Sequence, residues 1–275
     1  MPELAEAEFY RKRWHQAAAG RRVTAVLTHD RAKVFRGTDA AALRQTLTGK
    51  RYLGSEAAAK QILFRFSGGA WLGIHLGMSG ELRAAPPAYV PRRHDHLVLQ
   101  TSRCALIFTD PRMFGRVQFH QGAAPPAWWT RIAPPILSSA FTAAAVAAFL
   151  QRRSRAPLKA VLLMQERFPG VGNWMADEIL WRAAIHPRRP AGGLRPAEVR
   201  ALWRECRRVS RLALATIAGR GDDLPPDLNV RIPNSWLFKH RWEAGGRCPK
   251  TKQPLARAVI GGRTTCWSPA RQKMR

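Results

Sequence analysis

Acid is scarce in this chain. Asp and Glu number 18 against 46 Lys and Arg over 275 residues, a formal charge of +28. Such a field attracts a polyanion, and nucleic acid is the first candidate. A generally basic proteome raises the pI in the same way, so charge alone names no ligand. The basic residues are spread along the whole sequence, which fits a folded charged surface and not a disordered arm. Long apolar runs are missing too: the stretch from Ala140 to Leu150 is broken by Thr142 and too short for a membrane span. A secretory leader is not expected, because Glu3, Glu6 and Glu8 stand where basic and then apolar residues would. The 4 cysteines are too few and too scattered for a disulfide framework. The expectation is a cytoplasmic protein with no membrane partner. Its 46% hydrophobic content says globular, and its length suffices for two domains with real cores.

The first part reads as mainly β after an opening helix over 5–19, with Phe9, Trp14 and Ala17 on a shared side. Short apolar or alternating runs follow at 23–28, 61–67, 71–76, 97–100 and 105–109, with Ser67-Gly68-Gly69 as a hairpin signal. Strands at this spacing, punctuated by Gly and Pro, suggest a β-sandwich. Pro125-Pro126 and Pro134-Pro135 bracket a linker region. From about 138 the pattern turns helical, over 141–152, 157–165, 173–184 and 196–217. The last of these puts Val199, Leu202, Trp203, Cys206, Val209 and Ala213 on one face. Arg200, Arg204, Arg207, Arg208 and Arg211 fill other faces, a solvated surface in the ordinary reading, with phosphate contact as the alternative. From Trp236 onward Cys248, Cys266 and several glycines read as a small hairpin module, and no internal repeat is present. The fold class is α+β: an N-terminal β-sandwich with flanking helices over 1–130, a helical domain over 131–235, and a hairpin module over 236–275.

Met1-Pro2-Glu3 is a weak motif by itself, since Pro follows Met in many proteins. Removal of Met1 would leave the secondary amine of Pro2 as the terminus. An α-amino group titrates near ~8, so a useful fraction is neutral and nucleophilic at pH 7. Further motifs then converge: MPELAEAE at the start, Lys60 in AAAKQILFRF, HLGMSG over 75–80, DPRMFG over 110–115, and FPGVGNWMADEILWRAAIHP over 168–187. In this order, over nearly the whole length, the chain resembles the formamidopyrimidine-DNA glycosylase and endonuclease VIII family. Those repair enzymes excise oxidised bases and nick the resulting abasic site.

The resemblance implies a role for each residue. Pro2 is the nucleophile on C1′ of the damaged nucleotide, and Glu3 the acid/base that assists sugar opening. Lys60, expected on a strand, holds the phosphate beside the lesion or protonates a departing group. His75 opens the HLGMSG motif at the DNA surface. Met78, Arg112 and Phe114 fill the gap left by the extruded nucleotide, with Arg112 facing the widowed base. Met113 occupies a position that is commonly basic. The 168–187 segment resembles a helix–two-turn–helix in which Gly170, Gly172 and Asn173 approach a phosphate, while Glu178 has a structural role. Arg263, in GGRTT, falls on the family's hairpin arginine.

Two departures stand out. Many relatives carry two CxxC pairs that bind zinc. Here Cys248 stands with Thr251, and Cys266 with Pro269, so the expectation is a zincless finger, no metal and no cofactor, with His240 an ordinary surface histidine. The stretch 219–235, which in purine-selective members closes over the flipped base, is short and holds Pro225, Pro226 and Pro233. The implied function is a bifunctional glycosylase and abasic-site lyase of base excision repair. It binds damaged double-stranded DNA in a basic cleft, as a monomer of bacterial type used at the nucleoid. It forms a Schiff base on Pro2 and completes β/δ-elimination. Formamidopyrimidine and 8-oxoguanine lesions are favoured, with oxidised pyrimidines next. The alternatives are an abasic-site lyase with little glycosylase activity and a non-catalytic damaged-DNA-binding protein. An RNA- or ribosome-binding protein would explain the charge but not the intercalating residues.

Overall fold

The computed structural model describes residues 2–274, so the expected removal of Met1 lies outside the described residues. The chain forms two compact units. One comprises residues up to Ile132 together with Ala218–Leu224; the other comprises Ala133–Ile217 and the chain from Pro225 onward.

The first unit opens with α1 (Leu4–Ala18), which a capping box between Glu3 and Glu6 starts. Its buried stripe runs through Ala5, Phe9, Trp14 and Ala18, one position beyond the Ala17 expected from the sequence. Then follow β1 (Val23–Thr28), α2 (Ala40–Leu47), β2 (Tyr52–Ala58), β3 (Gln61–Phe66), β4 (Ala70–His75), β5 (Glu81–Ala85), β6 (Asp95–Thr101), β7 (Ala105–Thr109) and β8 (Arg116–Gln121). They pair antiparallel as two four-stranded sheets, β1-β6-β7-β5 and β2-β3-β4-β8, the layers of a sandwich. Trp14, wholly buried, ties α1 to both: its ring meets Phe64 of β3 at 4.9 Å, and its indole N–H donates to the Arg83 carbonyl of β5 at 3.0 Å. The short helix α3 (Ala127–Thr130) lays Trp128 over Gly73, where any Cβ would meet the ring at 2.2 Å.

The second unit is helical: α4 (Ala143–Arg152), α5 (Leu158–Leu162), α6 (Asn173–Ala183) and α7 (Pro196–Ala213), the last running into a π-helical turn at Leu214–Ala218. Val199, Leu202, Cys206, Val209 and Ala213 are buried on α7 as its period requires. Arg207 departs from the solvated role expected of it. Its guanidinium donates to the carbonyls of Ile136, Leu137 and Ser138, because the loop before α4 leaves those acceptors without helical partners. The unit ends in the hairpin of β9 (Ala256–Ile260) and β10 (Arg263–Trp267), joined by Gly261-Gly262, both at positive φ. Gly261 lies so close to Ala160 of α5 that a Cβ would meet it at 2.6 Å. Among the described residues no helix is long and apolar enough to cross a membrane.

Candidate active site and nucleic-acid interface

The first unit gathers several of the expected residues at one end of the sandwich. His15 of α1 stacks edge-on with Tyr52 of β2 at 5.9 Å, and Arg11 bonds Ser55 Oγ at 3.0 Å. The helix therefore runs antiparallel to β2, and its start points toward the β2–β3 turn. Glu3 sits at that start, 1% exposed, its backbone N–H donating to Glu6 Oε2 at 3.2 Å, with Pro2 half-buried beside it. The β2–β3 turn is Ala59-Lys60. Lys60 is thus a turn residue and not the strand residue expected, because Ala58 pairs directly with Gln61 and leaves only two residues to reverse the chain. Gln61 in turn pairs with His75 at the end of β4, so Lys60 and His75 share that end of the sheet. His75 Nδ1 accepts the Gly77 N–H at 3.1 Å, which leaves Nε2–H as a donor. Burial holds its pKa below the ordinary value, and the Lys60 and Arg36 charges add to this.

Two turns carry the three expected gap-filling residues, and the turns interlock. Gly77, at φ 63, lies where a Cβ would strike Gly115 N at 2.4 Å and the Phe114 carbonyl carbon at 2.5 Å. Only glycine permits this approach, and it seats the Met78 turn on the Arg112–Phe114 turn. Asp110, with no exposed surface, organises both. Its carboxylate accepts from Ser79 Oγ at 2.6 Å, Arg112 N at 3.3 Å and Gly115 N at 2.7 Å, and its carbonyl accepts from His96 Nε2 at 2.9 Å. Arg36 donates to the Gly115 carbonyl at 2.7 Å from outside. Arg112 stacks its guanidinium over the Phe114 ring at 4.9 Å, and Phe114 is 51% exposed, an apolar face presented outward. Sequence reasoning placed Arg112 and Phe114 but missed Asp110 and Arg36. The Asp at the head of the DPRMFG string was the available signal, since an Asp before a tight turn commonly binds the turn's own N–H groups. Met113 and Ala59 are two of four non-glycine residues at positive φ among those described. Strain of this kind clusters at functional sites, and each lies beside an expected site residue.

In the second unit, Asn173 is the first residue of α6 after Gly172 at its N-cap. Its Nδ2 donates to the Thr264 carbonyl at 2.9 Å, which sets exposed Arg263, the next residue back on β10, beside the helix start. The preceding turn is laced by Gln165, which bonds the Leu163 and Val171 carbonyls and the Gly170 N–H. Glu178 is buried and accepts from Arg182 Nε at 2.7 Å and from the Phe238 N–H at 3.2 Å. Burial raises its pKa against the lowering effect of Arg182.

The finger is held to α6 by direct contacts. Asp177 accepts from Lys159 at 2.5 Å, Arg241 at 2.7 Å and the Cys266 N–H at 3.0 Å. Arg271 donates to the Trp181 and Arg182 carbonyls, and Gln272 to that of Ile185. Cys248 and Cys266 pack with Trp181 and Leu237, and the Trp181 indole donates to Cys248 Sγ at 3.3 Å. Burial acts to raise the Cys248 thiol, yet the polar groups of Thr251, Ser268 and Trp181 around it outweigh this and bring the pKa to about 7. Burial pushes Cys266 up to about 11. Among the described residues no group of three or more His, Cys, Asp or Glu is placed to hold a metal, and this donor set does not fit zinc. His240 Nε2 donates to the Asn234 carbonyl at 2.8 Å.

A helix start paired with a hairpin arginine in one unit, and an exposed arginine-stacked phenylalanine on interlocked turns in the other, define a protein of the helix–two-turn–helix class built to act on nucleic acid. The family model for the formamidopyrimidine-DNA glycosylase N-terminal domain matches residues 1–117, and that for the formamidopyrimidine-DNA glycosylase H2TH domain matches residues 132–221. A formamidopyrimidine-DNA glycosylase of Roseiflexus sp. is 33% identical over 274 residues, covering 99% of this chain and 100% of the relative. One of Thermus thermophilus is 36% identical over 281 residues, covering 99% and 98%. The solved Lactococcus lactis Fpg (MutM), in complex with N7-Benzyl-Fapy-dG containing DNA, superposes with a TM-score of 0.86 at 23% identity, covering 99% of this chain and 100% of that one. The chain belongs to the formamidopyrimidine-DNA glycosylase family.

Proposed function

We propose that this chain excises an oxidised base from duplex DNA through the nitrogen of Pro2 and then cuts the strand at the abasic sugar. The observation that supports this most directly is the gathering of the α1 start, the Lys60 turn and His75 at one end of the sandwich. Met78, Arg112 and Phe114 fill the space the extruded nucleotide leaves and offset part of the few kcal/mol that extrusion costs. The Pro2 lone pair forms a bond to C1′ as the N-glycosidic bond breaks, and the departing base takes its electron pair and a proton. The sugar ring opens with help from Glu3, and the secondary amine becomes an iminium carbon–nitrogen double bond. Loss of a proton from C2′ expels the 3′ phosphate, and a second elimination expels the 5′ phosphate. Water then releases Pro2. Lys60 and the Nε2–H of His75 supply donors for the flanking phosphate, and Asn173 and Arg263 supply them in the second unit.

The favoured substrates are formamidopyrimidine and 8-oxoguanine lesions in double-stranded DNA, acted on by a monomer. The finger is zinc-free: Trp181 packing and the Asp177 bonds do the work a metal would do, and one equivalent of tightly held zinc in the purified protein would overturn this. Borohydride reduction tests the mechanism. Trapping on a lesion duplex should give a covalent adduct that peptide mapping locates at Pro2 with Met1 absent. An adduct on a lysine, or none, rejects the assignment.

A further inference from the structure

The helical unit holds a cleft of about 290 Å³ where the end of α6, the first turns of α7 and the tail after Ser268 meet. Asn173 opens α6 and Ala183 closes it, so the cleft lies about 15 Å along the helix from the end assigned to phosphate, at ~1.5 Å per residue. Its floor is small and apolar: Ala183, Ile185, Ala197 and Ala201. Its rim is cationic, with Arg189, Arg195, Arg271 and Lys273 against the single acid Glu198. That acid is already engaged. Arg189 bonds it at 2.9 Å, and Arg195 does so through its guanidinium at 3.3 Å and its backbone N–H at 2.8 Å. The Arg189 bond, then those of Arg195, hold its pKa down at about 2. The carbonyls at the end of α6 are engaged as well. Arg271 donates from Nε and Nη2 to those of Trp181 and Arg182, and Gln272 to that of Ile185. Among the described residues Arg271 Nη1 has no partner, and the positive end of α7 adds to the field.

The positive field runs on beyond the cleft. Lys250 of the finger, Arg182 and Arg271 all stand over the Trp181 ring, at 5.2, 5.7 and 5.8 Å. Burial, and then the charges of Arg271, Arg182 and Arg208, keep the Lys250 pKa below its ordinary value. A partner that relieves this crowding brings several negative charges in a row. A partner that fills the cleft brings one apolar side chain. The phosphate backbone supplies the first and not the second, since its bases are stacked inside the duplex. An acidic segment of another protein supplies both, an apolar anchor in a pocket with carboxylates on the rim. We propose that this face docks an acidic peptide, with one apolar residue seated on the alanine floor and its acids paired with Arg195, Arg271 and Lys273. The proposal stands apart from the glycosylase reading and gives the chain a protein partner on a surface away from Asn173.

The test is fluorescence anisotropy of the labelled peptide Asp-Glu-Asp-Leu-Asp-Glu on the full chain. Saturable binding is expected. Replacing the peptide's leucine by serine should weaken it roughly tenfold, the worth of one buried apolar side chain. In the protein, Ala201→Leu fills the floor and should weaken binding by a similar factor. Lys273→Glu should weaken it by about fivefold or more. Arg200→Glu changes the net charge equally from outside the cleft lining, and should shift binding by less than about twofold. A short saturating duplex should leave the peptide bound, because a separation of about 15 Å exceeds the screening length of ~10 Å at 0.1 M salt. Affinity of the Ala201→Leu and Lys273→Glu proteins for that duplex should match the unaltered protein, which also shows that they are folded. No binding, or equal binding of the serine peptide, would overturn the proposal. Equal weakening by Arg200→Glu would reduce the face to diffuse charge. Displacement of the peptide by duplex, with weaker duplex binding by Lys273→Glu, would give the face to nucleic acid instead.

Discussion

One carboxyl at the chain start has two tasks. Glu3 takes part in the capping box that starts α1, and in the proposed chemistry it also moves protons at the sugar. The tasks separate in Glu3→Gln. A glutamine oxygen still accepts from the first turn, so the helix and its docking through Trp14 survive. The side chain can no longer lose or gain a proton. Excision should fall by roughly 10²–10⁴-fold, the usual worth of a general acid–base, with unchanged circular dichroism and unfolding temperature. Single-turnover kinetics beside a thermal melt read both. Equal rates would remove Glu3 from the mechanism, and a lowered melt with proportionate loss of rate would reduce it to a cap.

Between residue and molecule stand the two interlocked turns, and their hub is Asp110. Asp110→Asn keeps the shape but turns an amide N–H₂ toward either the Gly115 N–H or the Ser79 and Arg112 donors, leaving donors facing donors in a buried site. The cost should be about 2–4 kcal/mol, read as a shift in denaturation midpoint at constant m-value. Lesion-duplex affinity should fall more than affinity for undamaged DNA if these turns carry the proposed wedge; equal losses would separate them from damage recognition. Element by element, legibility followed burial. The strands at 23–28 and 105–109 were plain because apolar runs mark them. β2 and β5 were not: YLGSEAA and ELRAA hold alanine, glycine and charge, which fit a strand only because β3 and β7 pair with them. Lys60 was expected on a strand because the resemblance implied it; no glycine marks the Ala59-Lys60 reversal, and Ala59 adopts φ 55 instead. The residues proposed as the wedge stand in recognisable strings, but Arg36 and Asp110 act through contacts distant in sequence or buried in a turn, which no local pattern displays.

At the scale of the molecule, the charge of +28 means that every added proton works against the compact state. Histidines decide where this begins. Burial lowers the pKa of His15, His75, His96 and His186 in the folded chain. In the folded state His75 and His186 use Nδ1 to accept the Gly77 and Arg188 N–H groups. His96 donates from Nε2 to Asp110 and has an unpartnered, buried Nδ1, with His29 stacked at 5.6 Å. Above the ordinary histidine pKa near ~6.5, folded and unfolded chains are both neutral at these sites and no contribution arises. As pH falls below it, the unfolded chain takes up protons that the folded chain refuses, so stability drops until the lowered folded values are passed. The melting temperature should therefore decline between about pH 6.5 and pH 5, by about 2–4 °C for each kcal/mol lost. Surface repulsion would also lower it, but salt screens surface charge far better than buried charge. Added salt should recover only part of the decline. His96→Gln, whose amide can still donate to the Asp110 carbonyl but cannot protonate, should remove the His96 share of the rest and make the decline shallower at high salt. A decline that salt abolishes wholly would assign the acid sensitivity to the surface and not to the buried rings, and a His96→Gln profile parallel to that of the unaltered protein would remove His96 from it.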